Sequence, residues 1–121
     1  MPAPDAHLSQ ARHNESVALF LLQHNYPDWA VTAFFYAALH YVEAVLAQDN
    51  RHSANHPARD SSIARSPVLR KVYGEYRYLK TLSNDARYRV RNFGEPELRA
   101  TQAKFTAIRN HIQKAMSPGP A

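Results

Sequence analysis

Between Trp29 and Ala47 the chain is apolar almost all round: Val31, Phe34, Phe35, Ala37, Ala38, Leu39, Val42, Val45 and Leu46 leave no polar face at helical spacing. A helix with only one apolar stripe lies on a surface, whereas one that is apolar all round is buried on most sides. Its neighbours must therefore wrap around it, and its alanines let them come close. The stretch has about the length of a membrane span. However, His40, Glu43 and several small residues interrupt it, and ionisable groups are costly in a bilayer. It reads as the central helix of a soluble bundle, over residues 27–48, with Pro27 in the first turn, where a missing N–H costs nothing.

The remaining segments also carry helical period. Leu8, Ala11, Glu15, Ala18 and Leu22, with Leu19 beside them, predict a helix over residues 5–24. Residues 49–58 are polar and break the period. A short helix is expected over 60–65, with Asp60 near its cap. Ser66-Pro67 reads as an N-cap and first-turn proline. A helix over 67–88 follows, with Leu69, Val72, Tyr76, Leu79, Ser83 and Ala86 on its buried face. The last helix is expected over 96–116, on Leu98, Thr101, Phe105, Ile108, Ile112 and Ala115. Only three glycines occur, and no alternating strand pattern appears. The predicted fold is all-α, an antiparallel four- to five-helix bundle. The 121 residues suit one domain, with an ordered core over 5–116 and flexible tails.

The net charge of +5 is uneven. Residues 49–91 hold ten Lys/Arg and four Asp/Glu, or +6; the rest hold five and six, or −1. An excess concentrated in the middle third suggests an anionic partner, nucleic acid first, although it also fits a surface that only keeps the protein soluble. No cysteine is present, which rules out disulfides, thiolate metal sites and a cysteine nucleophile. The first fifteen residues lack the apolar core of a signal peptide. A cytoplasmic protein without a membrane partner is the expectation.

No glycine-rich phosphate loop, nucleophile elbow or zinc signature appears. The scattered carboxylates do not suit a two-metal nuclease. Histidine and arginine chemistry remains. One residue beyond the core stripe of 67–88, the residues Arg70, Tyr73, Arg77, Lys80, Asn84 and Arg87 form a basic stripe. It reads as a solvated face or as a phosphate-contacting one. The densest polar cluster is Arg51-His52-Ser53-Ala54-Asn55-His56-Pro57-Ala58-Arg59-Asp60. Three readings fit it. His52 and His56 at i,i+4 could share a metal, but no third ligand is evident and Pro57 opposes a regular helix. The cluster could be a hydrophilic loop with capping residues. Or it could be a metal-free site on phosphate or RNA, where a histidine moves the proton of the 2′-hydroxyl and an arginine offsets charge on phosphorus oxygens. His40 reads either as a core histidine with a neighbouring partner or as a group facing the same site as this cluster. Arg87 and Tyr88 share that ambiguity: Arg87 pairs with Asp85 or Glu43, or holds phosphate.

From the first helix through Tyr88, about two-thirds of the chain, the pattern resembles the HEPN superfamily of small helical domains. The resemblance lies in Asn25-Tyr26-Pro27-Asp28-Trp29-Ala30, the alanine-rich Phe35-Tyr36-Ala37-Ala38-Leu39-His40-Tyr41-Val42-Glu43-Ala44, the His-bearing segment after it, and Ser83-Asn84-Asp85-Ala86-Arg87-Tyr88. Many members are RNases of toxin or defence systems, with a signature of Arg, a polar residue and a His four to six residues on. Arg51-His52-Ser-Ala-Asn-His56 matches that form. The resemblance implies Arg51 on the phosphate, His56 as acid or base and His52 orienting the pair, without cofactor or metal. It also implies a homodimer, with RNA, a nucleotide, a cognate antitoxin or another protein as partner. The match departs from the family in two ways: the motif follows residues 27–48 instead of opening a helix in the second half, and Pro57 comes directly after His56. Two functions follow. One is a non-catalytic module binding RNA, a nucleotide or a protein through residues such as His40, Arg59, Arg70, Tyr73, Arg77, Lys80, Arg87 and Tyr88. The other is a metal-independent endoribonuclease using Arg51, His52 and His56. A purely structural scaffold is a third.

Overall fold

A computed structural model describes residues 3–50 and 55–117. They form α1 (Pro4–Gln23), α2 (Pro27–Gln48), α3 (His56–Arg65), a 3₁₀ turn (Leu69–Val72), α4 (Tyr73–Tyr88) and α5 (Glu95–Met116), with no strand among the described residues. The all-α bundle is as expected.

α2 is the hub. It packs against α1, α4 and α5, and its buried side chains run from Ala30 to Ala47 with few gaps. By length and hydropathy α2 could cross a membrane, but 83% of its most apolar window is buried inside the fold. The protein supplies its apolar surroundings. Phe35, Tyr41, Leu46, Ile63, Leu69, Tyr76, Leu79, Phe105, Ile108 and Ile112 fill one continuous core. α1 contributes the buried Ala11 and Ala18, with Leu8 and Leu22 at the margin. Leu19 and Trp29, both apolar in the sequence reading, remain substantially exposed, at 44% and 58%.

The α1–α2 corner closes tightly because Asn25 adopts the left-handed conformation, φ 63°. The Tyr26 N–H then reaches the Leu21 carbonyl at 2.9 Å, and the Asn25 N–H reaches Leu22 at 3.3 Å. These are the two bonds of a Schellman cap, in which asparagine tolerates the backbone that glycine usually takes.

Two expectations about the middle of the chain are corrected. The short helix begins at His56, not near Asp60. The Asn55 side chain caps it, accepting from the Ala58 N–H at 2.9 Å. Pro57 sits in the first turn, where no intrahelical N–H is needed, so the proline opens the helix and does not prevent it. The helix expected over 67–88 is also not uniform. Ser66 ends α3, and its hydroxyl accepts from the Leu69 N–H at 3.1 Å. A 3₁₀ turn follows, and α4 starts only at Tyr73.

Candidate functional site

α3 and α4 face a common cleft of about 300 Å³, lined by His56 and Asp60 from α3 and by Arg77, Lys80, Thr81, Asn84 and Arg87 from α4. His56 and Asp60 are i,i+4 on α3; Arg77, Lys80 or Thr81, Asn84 and Arg87 follow helical spacing on α4. Residues at these spacings share a helix face, so two facing stripes make the walls.

The cleft carries three cations, Arg77, Lys80 and Arg87, against one carboxylate, Asp60. Lys80 Nζ pairs with Asp60 Oδ2 at 2.6 Å. Arg77 rests over the Tyr73 ring and forms no ion pair among the described residues. Arg87 is positioned by aromatic groups. Its guanidinium lies 5.4 Å from the Tyr36 ring centroid and 5.3 Å from that of Tyr88. Its Nη1 donates to the Tyr36 hydroxyl, and its Nε donates to the Ser83 carbonyl at 3.3 Å. These contacts hold the guanidinium fork and leave Nη2 without a partner among the described residues.

Behind the cleft, Glu43 of α2 is 7% exposed and accepts from Arg59 Nε at 2.5 Å. Arg59 Nη1 in turn lies 2.9 Å from His56 Nδ1. A guanidinium can only donate, so Nδ1 must be the acceptor. The neutral ring then carries its proton on Nε2. Burial holds the His56 pKa below its ordinary 6.5; Arg59, Lys80 and Arg87 add to this and Asp60 opposes it. His56 is thereby set as a neutral N–H donor. A general base would need the opposite tautomer, with its free lone pair on the nitrogen that meets the reactant.

The other sequence candidates are placed as follows. Arg59 is buried behind the cleft, bound to Glu43 and His56, and does not line the cleft. His40 faces α1, with its Nδ1 3.0 Å from His7 Nδ1. Only one of these nitrogens can carry a proton, and burial followed by His7 lowers the His40 pKa. Arg70 and Tyr73 continue the basic stripe in sequence but lie off the cleft. The stripe assumes 3.6 residues per turn, and residues 69–72 wind at about three. Tyr88 is 73% exposed and, among the described residues, meets the site through Arg87. Arg51 and His52 lie outside the described residues. Arg87 pairs with neither Asp85 nor Glu43: Asp85 binds Arg91 and Arg89, and Glu43 binds Arg59. Sequence reasoning did not assign Tyr36 or Thr81 to the site, and it held Asp60 only as the end of the polar cluster and a residue near a cap, although its i,i+4 spacing from His56 places the two on one helix face. Among the described residues no three His, Asp or Glu side chains come together as metal ligands.

Chemically, the arrangement can hold an oxyanion: the held Arg87 guanidinium, Lys80, an arginine with no ion pair among the described residues, Asn84 and His56 surround one space. A comparison of the chain with protein-family models finds no match, and a comparison with curated proteins finds none.

Proposed function

We propose that the protein is a HEPN-like module that binds a phosphate-bearing ligand, RNA or a nucleotide, in the α3–α4 cleft without cleaving it. The observation that carries this reading is the convergence of His56 with Arg77, Lys80 and Arg87 on one small space. The sequence offered the basic stripe and the histidine cluster as separate features. Three cations against one paired carboxylate suit a phosphate, which is the usual counterpart of such a cluster. The Glu43–Arg59–His56 chain supports binding over catalysis, because it fixes His56 as a donor. Proximity of His56 to the cations is also what an endoribonuclease would use, and that second reading requires His56 to change tautomer.

Fluorescence anisotropy with a labelled single-stranded RNA in EDTA tests the proposal. Binding should occur, Arg87→Ala and the Arg77→Ala/Lys80→Ala pair should each weaken it at least about tenfold, the loss expected for a charge-assisted contact, and the RNA should remain intact on a gel. Cleavage that His56→Ala abolishes would establish the nuclease instead. Absence of binding at low salt would reject both.

A further inference from the structure

The α3–α4 cleft has a definite net charge and an unusually polar wall. Lys80 is matched by Asp60, with Nζ 2.6 Å from Oδ2. Arg59, behind the cleft, is matched by Glu43. Arg77 and Arg87 have no carboxylate partner among the described residues; Arg77 rests on Tyr73, and Arg87 is held by Tyr36 and the Ser83 carbonyl. His56 accepts from Arg59 on Nδ1, so the neutral ring adds a donor and no charge. Three cations less one carboxylate leave two positive charges on one space of about 300 Å³. Small-molecule sites grip the body of a ligand on apolar and aromatic surface and orient it with a few polar groups. Here, among the described residues, the lining holds no aliphatic or phenyl side chain. Such walls give a base or any other apolar body no hold, and the volume is at the low end for ligand sites, enough for a head group.

We infer that the cleft is a receptor for the dianion of a terminal phosphate monoester, which it takes in preference to a phosphodiester within a strand. This rests on the phosphate-binding reading above. A phosphodiester brings one negative charge. A terminal monoester brings close to two at neutral pH, on three acceptor oxygens. The dianion matches the two uncompensated guanidinium charges, and its three oxygens meet the donors of Arg77, Lys80, Asn84, Arg87 and His56. Arg77 supplies the second charge and with it the preference. Because the walls grip only the phosphate, a free phosphorylated metabolite and the 5′-phosphate end of a nucleic-acid strand present the same recognised group.

The test is an NMR titration of the full chain with methyl phosphate and with dimethyl phosphate, read at the Asn84 side-chain amide and at Arg87 Nε. At about pH 8, where the monoester is doubly charged, methyl phosphate should bind at least about tenfold more tightly, the worth of one charge-assisted contact. Arg77 is exposed, so Arg77→Ala should keep the wild-type Tm while bringing the two ligands to nearly equal affinity. Arg87→Ala should weaken both. A short 2′-O-methyl oligouridylate with a 5′-phosphate separates the two sources. Affinity equal to that of methyl phosphate assigns a free phosphorylated molecule, and tighter binding assigns a strand end; in either case its 5′-hydroxyl twin should bind at least about tenfold more weakly. Equal affinity for methyl and dimethyl phosphate, or for the two oligomers, overturns the monoester assignment while the phosphate-binding reading stands. So does an Arg77→Ala protein that keeps the full preference. If none of the four ligands moves these resonances, the phosphate-binding reading falls as well.

Discussion

Glu43 controls the candidate site without lining it. The carboxylate is buried in α2, where only a fixed cation justifies a charge. Arg59 supplies that cation and uses a remaining N–H to fix the tautomer of His56. Glu43→Gln leaves a buried guanidinium without its counter-charge, so the loss should be about 3–5 kcal/mol by urea denaturation. His56 and His40 give a second residue-scale prediction. Burial, with Arg59 beside His56 and His7 beside His40, depresses both pKa values from 6.5. As pH falls, the unfolded chain takes up these protons before the folded chain does. Stability should therefore be at its full value above pH 6.5 and decline below it, toward the lower folded-state values. Thermal melts at stepped pH check this, and a His40→Gln variant should show a shallower decline.

α3 is where local rules decide most at the level of elements. Its ten residues are too few to be stable alone. Asn55, Pro57 and packing of Ile63 into the core hold it. Asn55→Ala removes the cap and should cost about 1 kcal/mol, read by chemical denaturation. In α4, Gly74→Ala adds a methyl in open space to a helix and should raise stability by up to about 1 kcal/mol. The helices with long apolar stripes, α2 and α5, were legible in the sequence almost to the residue because their burial repeats every turn. α3 was not, since His56-Pro57 looks like a break until Asn55 is recognised as its cap. The displacement of Arg70 was hidden for a related reason: nothing in the 67–88 stripe announces that its first turn is 3₁₀.

Across the whole molecule, part of the charge excess of residues 49–91 is gathered where α3 and α4 line one cleft. The sequence showed which third of the chain was basic, but not that its histidine and its arginines share one space. That depends on α2, against which α4 packs and whose Tyr36 and Glu43 position Arg87 and, through Arg59, His56. If Arg77, Lys80 and Arg87 together neutralise one phosphate of a single strand in the cleft, log K against log salt should have a slope of about −0.7, and the Arg77→Ala/Lys80→Ala pair should flatten it toward zero. Anisotropy at several salt concentrations measures both.

The claim that His56 is a fixed N–H donor in a phosphate-binding cleft is most directly tested by ¹⁵N NMR of its imidazole while RNA is titrated in. The free protein should show the neutral ring protonated on Nε2, and saturating RNA should shift its resonances and raise its pKa while the RNA stays whole. A ring protonated on Nδ1, or one that RNA leaves unmoved, would contradict the account.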